Sequence, residues 1–279
     1  MSRTFEQAHA FGTDLFGLER FLRGLHSCLI IFQSYPALLA LIAPLFTIPA
    51  ASVKPAYAVI APLKDQVNVT RRYIRTFKFL DSYALAYGLV TDTAVPKSLE
   101  TFLDIFYGTF MGTFGMLETI TLPDISGVPG LSIFGPEKTI YLNIEAQRLW
   151  LFGLVCSVLS NGIKLIKLFA YSSVPSGEAF NVTEKKVANG KEEELNAERE
   201  RLKKIVDQRK QHRAAVKAKA RVLMRKMLAD SLDMIIPLGS LGWYVSEPGV
   251  VGSVMLVTSV LTSLDTWEKC RVLVEKKHQ

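Results

Sequence analysis

The sequence predicts an all-α protein that is integral to a membrane or tightly associated with one. Its 279 residues are 49% hydrophobic and 21% charged, with a mean hydropathy of +0.22, whereas soluble domains carry about 25% charged residues. Five apolar runs and one basic segment with helical spacing stand out along the chain. Disorder of the whole chain is excluded because so much apolar material can be buried. Three cysteines are too few for a disulfide scaffold.

The first apolar run covers residues 24–53 and contains thirty residues without a formal charge. A membrane-spanning helix needs about 20 apolar residues, so this run is long enough to cross a bilayer. Pro36, Pro44 and Pro49 interrupt it, and a proline inside a helix removes a hydrogen bond and clashes with the preceding turn. A broken span, a re-entrant segment and a buried pair of helices all fit this pattern.

Four further runs are shorter, and each alone also fits the core helix of a soluble protein. They cover residues 105–117, 149–163, 234–246 and 248–264. The run at 149–163 reaches about 20 residues if Lys164 and Lys167 extend their charged ends to the membrane surface. Only Glu247 separates the last two runs, which predicts an apolar C-terminal helical hairpin. Several such runs in one chain favour a membrane protein.

Residues 62–80 have the pattern of a basic amphipathic helix. Pro62 suits the first position of a helix, and five cations with one acid occupy these nineteen residues. The cations on or beside one side of the helix, which we expect to contact lipid phosphates, are Lys64, Arg71, Arg72, Arg75 and Lys78. The apolar side chains of the adjoining stripe, which we expect to insert into the membrane, are Leu63, Val67, Ile74 and Phe77.

This combination predicts binding to anionic membrane lipids. The apolar stripe of such a helix enters the boundary between headgroups and acyl chains, while its cations meet phosphates. At about 1 kcal/mol per cation near an anionic leaflet, five cations would contribute roughly 5 kcal/mol before salt screening. A helix wedged into one leaflet enlarges that leaflet and therefore favours curvature. The alternative is an ordinary surface helix that packs on its own protein.

A second basic region extends from residue 184 to residue 226. It contains fifteen Lys and Arg residues against seven Asp and Glu residues, and its net charge of +8 accounts for the positive balance of +7 of the chain. Glu192, Glu193 and Glu194 precede most of the cations, which suits the dipole of a long helix. Apolar residues are sparse, so we expect a solvated linker helix. Membrane contact ranks second and nucleic acid last, because no nucleic-acid-binding motif accompanies the charge.

Small residues predict close helix packing at two places. Gly108 and Gly112 form a GxxxG pattern within the second apolar run. Gly249 and Gly252 lie at the start of the last run. Glycines at such spacing let helix backbones approach each other closely in lipid.

The sequence lacks the residue patterns of catalytic, cofactor or metal sites. No phosphate-binding glycine loop, nucleophile elbow, zinc-peptidase motif or paired CxxC occurs in it. The four histidines have no metal-ligand neighbours at useful spacing. Asp230 and Asp233 lie three residues apart before an apolar run, and we interpret them as structural polar contacts. We therefore expect neither an enzyme nor a bound cofactor or metal ion.

Four stretches of the sequence resemble the peroxin-11 family. Residues 69–81, VTRRYIRTFKFLD, are similar to the family's basic helix, which ends in a Lys-Phe-Leu type motif. Residues 228–237 resemble its pre-membrane helix, residues 249–267 its glycine-rich final segment, and residues 148–151 the start of its central apolar segment. The elements have the family's order over nearly the whole chain, and we identify a C-type-like member of the kind found in fungi. A charged insert at 185–219 and the proline-broken first run depart from the family pattern.

The resemblance implies a peroxisomal membrane protein that elongates peroxisomes before division and oligomerises with copies of itself. It also implies that the protein works with a dynamin-related GTPase and a tail-anchored fission adaptor. By position, residues 62–80 would be the membrane-inserting helix. We expect a membrane-associated helical region at 1–170, a charged loop and long basic helix at 171–227 and the apolar hairpin at 228–279, all within one family-wide domain.

A pore or transporter for small metabolites is the alternative function, because several apolar segments approach spanning length. A pore should place polar or charged residues inside its spans, and the apolar runs contain almost none. A soluble helical adaptor is a third hypothesis.

Overall fold

The computed structural model describes residues 3–42, 53–170 and 192–278. All regular secondary structure in these ranges is α-helical, as the sequence predicts. The helices are α1 (Arg3–Thr13), α2 (Leu15–Ser34), α3 (Pro36–Ile42), α4 (Val53–Ile74), α5 (Phe79–Thr91), α6 (Leu99–Ile120), α7 (Leu122–Ile125), α8 (Pro136–Ala170), α9 (Glu192–Asp233), α10 (Ile235–Ser240) and α11 (Pro248–Lys277).

The chain divides into two compact units, residues 1–160 with 226–279 and residues 161–225. The second unit contains the end of α8 and most of α9. From residue 200 to residue 225 most described side chains of α9 are exposed. The long basic helix predicted for 184–226 is therefore present from residue 192 onward, and residues 184–191 lie outside the described residues.

Two helix pairs organise the first unit: α11 lies along α2, and α5 lies along α6. Helix α4 packs on α2 and also contacts α6 and α7. Where these pairs approach closely, glycine leaves the room that a side chain would fill. A Cβ added at Gly108 would lie 2.9 Å from the Ser82 carbonyl oxygen, and one added at Gly112 would lie 2.7 Å from the Tyr83 ring.

The same close approach occurs where α11 crosses α2. A Cβ added at Gly252 would lie 2.9 Å from Ile30, and one added at Gly249 would collide with the Tyr35 ring. All four glycines that the sequence singles out thus lie at helix–helix contacts inside the chain. Helix α8 contacts α6 through Trp150, which stacks on Phe114 with ring centroids 5.4 Å apart, and through Gly153, where an added Cβ would lie 3.1 Å from the Met111 sulfur.

The first apolar run does not form one continuous helix in its described part. Helix α2 ends at Ser34, and Tyr35 adopts φ −125° and ψ 77° before Pro36 begins α3. A residue that precedes proline is pushed out of the helical region by contact with the proline ring. Residues 43–52, which include Pro44 and Pro49, lie outside the described residues.

The basic amphipathic segment differs from its predicted bounds of 62–80. Helix α4 begins at Val53 and contains Pro62 in its interior rather than at its start. It ends at Ile74, and a turn precedes α5, which begins at Phe79. The turn is fixed at Thr76, whose hydroxyl donates to the Tyr73 carbonyl at 2.7 Å and whose carbonyl accepts from the Thr119 hydroxyl at 2.6 Å.

Helices α8 and α11 are long and apolar enough to cross a membrane, by length and composition. They contain the apolar runs predicted at 149–163 and 248–264. The run at 234–246 is helical only over α10. Gly242, with φ +72°, follows this helix and lets the Trp243 N–H bond to the Leu238 carbonyl at 3.1 Å, which is the glycine-dependent way to end a helix. Helices α10 and α11 contact each other. The first helix of this C-terminal pair is shorter than the predicted apolar run at 234–246.

Candidate functional site

The first unit buries many polar side chains beside its apolar core and exposes many large apolar ones. Its most deeply buried side chains include Ser27, Thr121, Ser157, Ser160 and Thr258. The large apolar side chains that are at least half exposed include Phe21, Tyr87, Phe106, Leu159 and Val260. Soluble proteins show the opposite preference, whereas polar residues of membrane proteins face the interior of the helix bundle.

The cations of the predicted lipid-contact stripe lie mainly in this polar interior. Arg71 is only 5% exposed, and Arg72, Arg75 and Lys78 are partly buried. Lys64 is also partly buried and pairs with the neighbouring Asp65 at 3.4 Å. Their contact with lipid phosphates stays a prediction, and in this structure most of them have protein partners.

Glu19 of α2 is the first of two carboxylates that these cations share, and it is 2% exposed. Its Oε1 accepts from Arg71 Nη2 at 3.1 Å and lies 3.9 Å from Arg75 Nη1. Its Oε2 lies 3.4 Å from Arg20 Nε. Burial alone would raise the pKa of Glu19, but the attraction of Arg20, Arg71, Arg75 and Lys78 together holds this pKa well below its usual value. Glu19 is therefore ionised at neutral pH.

Glu118, near the end of α6, is the second shared carboxylate. Its Oε1 accepts from Arg75 Nη2 at 2.7 Å and lies 3.8 Å from Arg72 Nε. Arg72 also donates from Nη1 to Asn143 Oδ1 at 3.1 Å. The turn at 75–78 and the preceding helix thus connect α2, α6 and α8 through charged groups.

Two aromatic rings cover the cations at the end of the segment. Lys78 Nζ lies 3.8 Å from the centroid of the Phe16 ring, and Arg75 Cζ lies 6.0 Å from that of Phe114. Both distances permit attraction between a cation and an aromatic face. Burial lowers the pKa of Lys78 to about 8 and that of Arg71 to about 9.

His26 completes the contacts of Arg71, with its Nδ1 3.1 Å from Arg71 Nη1. Burial, and then the nearby charge of Arg71, lowers the pKa of His26 to about 4. His26 is therefore neutral near pH 7 and accepts a hydrogen bond from the guanidinium through Nδ1.

The acids at the end of α9 also pair within the first unit, in line with their interpretation as structural polar contacts. Asp233 accepts from Arg23 Nη2 at 2.5 Å, and Asp230 accepts from the Ser157 hydroxyl at the same distance. Burial raises the pKa of Asp230.

A cavity of about 490 Å³ lies at the centre of these groups. Its walls carry six cations and five carboxylates. The cations are Arg20, Arg23, Arg71, Arg72, Arg75 and Lys78, and the carboxylates are Glu19, Asp81, Glu118, Asp230 and Asp233. The part of the chain that the structure describes contains no cluster of three His, Cys, Asp or Glu side chains that could hold a metal ion.

The apolar stripe of the segment is divided between interior and surface. Val67 is 8% exposed and packs in a small core cluster with Leu29 and Ile60. Phe77 is 72% exposed, Leu63 is exposed and Ile74 is partly buried. Membrane insertion of all four stays a prediction, and the structure leaves Leu63 and Phe77 available on the outside.

Sequence reasoning missed the acidic partners of the stripe. Glu19 and Arg23 are four residues apart on a largely apolar helix, and Glu118 follows thirteen residues without a formal charge. An isolated acid at the edge of an apolar run is costly to bury unless it is paired. An acid at the edge of an apolar run therefore indicates a buried ion pair. It does not identify the cation that pairs with the acid.

Comparison with known proteins gives one match. The family model described as peroxisomal biogenesis factor 11 (PEX11) matches residues 49–267, more than three quarters of the chain. No curated protein and no solved structure matches the chain.

Proposed function

The chain belongs to the peroxisomal biogenesis factor 11 family of peroxisomal membrane proteins, and we propose that it elongates the peroxisomal membrane by inserting an apolar helical surface. This family acts in peroxisome biogenesis and proliferation. The proposed mechanism concerns residues 62–80 and the apolar surface next to them. The C-type assignment stays a prediction of the sequence.

One observation carries the proposal: the cations of residues 62–80 are buried or partly buried, while four large apolar side chains of the same segment are exposed. Leu63, Tyr73, Phe77 and Leu80 are all more than 40% exposed. Arg71 and its partner Glu19 are buried, and so is Glu118, the partner of Arg75. Burying one such apolar side chain fully stabilises a protein by about 1.5–3 kcal/mol. A lipid surface would supply that burial.

Insertion of this apolar surface into one leaflet would bend the membrane. A helical surface that enters the headgroup boundary occupies area in one leaflet only, and the membrane relieves the resulting mismatch by bending. Exchange of Glu19 and Glu118 for lipid phosphates would let Arg71, Arg72 and Arg75 bind the membrane from the same segment. Exposed apolar surface that lipid does not cover is available for self-association, and the fission GTPase and its adaptor are proposed partners.

Vesicle deformation tests this function. Full-length protein purified in detergent would be added to vesicles with 30–40% anionic lipid, roughly the regime in which cations contribute near a surface. We expect tubules with the unmodified protein and round vesicles with the double variant Leu63→Asp, Phe77→Asp. Leu202→Asp, at an exposed position of α9, is the matched control and should leave tubulation intact. Tubulation by the double variant at the unmodified level would contradict the proposal.

A pore for small metabolites is the second candidate, and the charged interior is the observation that favours it. The sequence alone argued against a pore because its apolar runs lack charge, yet the structure gathers charges from several helices around one cavity. Conductance across planar bilayers distinguishes the two functions. A pore predicts current that Arg75→Gln alters, whereas silent bilayers with normal vesicle tubulation would remove this candidate.

A further inference from the structure

The described helices carry only short stretches without a charged residue. The longest is the seventeen residues 248–264 of α11, followed by fifteen in α8, 149–163. Helix α6 has thirteen, 105–117, and α5 has ten, 82–91. At a rise of about 1.5 Å per residue, these stretches are about 25, 22, 20 and 15 Å long. A typical hydrocarbon core is about 30 Å thick, so each described stretch is shorter than the core.

The uncharged stretches of α5, α6 and α8 lie side by side in the first unit. Helices α6 and α8 are antiparallel, since Phe114 stacks on Trp150, and ten residues away in both helices Asp104 accepts from the Ser160 hydroxyl at 2.6 Å. Helix α5 packs along α6 where Gly108 leaves room for it. The three stretches therefore form one surface, the apolar belt. It consists of residues 82–91, 105–117 and 149–160.

The outer side of the apolar belt presents large side chains to the surroundings of the protein. Six of them, from all three helices, are at least 47% exposed: Leu85, Tyr87, Val90, Phe106, Phe152 and Leu159. Ser157 and Ser160 of the same α8 stretch are buried instead. Because the family is one of peroxisomal membrane proteins and apolar surface is favourably removed from water, lipid acyl chains are the cover that fits this surface.

Charges at both ends of α5 fix the height of the belt on that side. Asp81 and Asp92 are exposed and lie eleven residues apart. Lys97 Nζ donates to the carbonyl oxygens of Leu89, Val90 and Asp92 at 2.7, 3.0 and 3.2 Å. A free lysine can extend its ammonium away from an apolar surface toward water. These three hydrogen bonds hold the Lys97 ammonium at the end of α5, beside the edge of the belt.

We propose that the apolar belt associates with phospholipids of short acyl chain in preference to those of long acyl chain, and that the bilayer is thinner beside the first unit than away from it. A belt shorter than the hydrocarbon core leaves acyl chains against charged groups, and the bilayer thins to reduce that mismatch. This inference goes beyond the proposed function, because it concerns the belt and the thickness of the bilayer rather than residues 62–80 and the area of one leaflet.

Competition between lipids measures the preference. Full-length protein with Trp243→Phe and Trp267→Phe keeps Trp150 as its tryptophan, and this residue lies in the belt. It would be reconstituted in brominated dioleoylphosphatidylcholine mixed with an unbrominated phosphatidylcholine, either dimyristoleoyl, dioleoyl or dierucoyl in order of increasing chain length. Brominated chains quench tryptophan fluorescence, so a lipid that displaces them restores emission. We expect the dimyristoleoyl lipid to associate at least about twofold more strongly than the dierucoyl lipid.

Arg148→Leu lengthens the belt and should weaken this preference. Arg148 is exposed and pairs with Glu145 of the same helix at 2.6 Å. Its replacement extends the uncharged stretch of α8 from fifteen to eighteen residues, since Glu145 becomes the next charged residue. The ratio of association between the dimyristoleoyl and dierucoyl lipids should therefore fall toward one. Arg213→Leu, at an exposed position of α9, removes the same charge from the second unit and should leave the ratio unchanged.

The outcomes separate this inference from the proposed function. Equal association of all three lipids, or a preference for the dioleoyl or dierucoyl lipid, would overturn it, even in a protein that forms tubules from vesicles. An unchanged ratio in Arg148→Leu, or an equal fall in Arg213→Leu, would show that the length of the belt does not set the preference and would also overturn it. A protein that prefers the dimyristoleoyl lipid but leaves vesicles round would support the inference and contradict the proposed function.

Discussion

The two basic regions of this chain place their cations in opposite environments. In residues 62–80 the arginines lie against Glu19 and Glu118 in the interior of the first unit. In α9, within the second unit, Lys203, Lys210 and Lys217 are exposed. Both regions are helical and both carry an excess of Lys and Arg. The difference shows that positive charge alone does not decide whether a helix face is solvated.

Apolar neighbours and acidic partners account for the difference. The first region alternates its cations with Val67, Ile74 and other apolar residues, so packing of the apolar groups brings the cations inside. Burial is tolerated because carboxylates on α2 and α6 pair with them. Helix α9 has few apolar residues before residue 220, and water solvates its charges at little cost. Matched substitutions in the two regions should therefore differ in their effects.

The largest effect is expected from Glu19→Gln. This change leaves Arg71 and Arg20 buried beside a neutral amide, and breaking a buried ion pair by removing one partner costs about 3–5 kcal/mol. Glu200→Gln, at an exposed position of α9, should change the free energy of unfolding by less than about 0.5 kcal/mol. Chemical unfolding in detergent, followed by circular dichroism, measures both. Equal losses in the free energy of unfolding for the two substitutions would contradict the proposed difference between the two regions.

A smaller loss is expected when the cation rather than the shared acid is removed. Arg71→Gln should lower the free energy of unfolding by about 1.5–3 kcal/mol, the range for hydrogen bonds to charged groups, because Glu19 keeps Arg20 and Arg75 as partners. The matched change in the second unit is Arg213→Gln, for which we expect no measurable loss. If Arg71→Gln stabilises the protein in the same unfolding assay, the pairing with Glu19 is not what retains this arginine in the interior.

The stability of the first unit should decrease on acidification because of His26. Its pKa is about 4 in the folded protein, below the ordinary value of 6.5, so the unfolded chain binds the proton more readily. The contribution of neutral His26 to the free energy of unfolding is fully present above pH 6.5 and is lost as the pH falls toward 4. Thermal unfolding across this range should show a shallower pH slope for His26→Gln than for the unmodified protein. Leu202→Gln, at an exposed position of α9, is the control and should retain the original slope.

The smallest effect is expected from neutralising the second basic region. Lys203→Gln combined with Lys217→Gln removes two exposed cations of α9 and should leave both thermal stability and partition onto anionic vesicles nearly unchanged. We expect this because the region is interpreted as a solvated linker helix. Cosedimentation with vesicles measures the partition, and a large loss of binding would assign membrane contact to α9 instead.

The sequence predicted the structural features that depend on a local residue pattern. It could not predict contacts between residues that are distant in the chain. Helical spacing predicted the all-α class and the apolar runs within α8 and α11. It could not place Glu19 opposite Arg71, because 52 residues separate them and no local period links them. Pro62 suggested a helix start, but the structure places it inside α4, although an interior proline removes a hydrogen bond and clashes with the preceding turn.

The turn at 75–78 shows the same limit. Helical periodicity continues through it in the sequence, and the break depends on a hydrogen bond from Thr119 to the Thr76 carbonyl. Such a tertiary contact has no signature in the residues of the turn itself. Within this turn Phe77 is exposed and Arg75 is partly buried.

The central claim is that the apolar outer surface around Phe77 enters lipid while residues 200–225 of α9 stay in water. A single cysteine at Phe77 or at Val206, with the native cysteines replaced, would carry an environment-sensitive fluorophore on the full-length protein. On anionic vesicles the account predicts a blue shift and quenching by lipid-attached quenchers at position 77, and neither at position 206. Water-like emission without quenching at position 77 would contradict it.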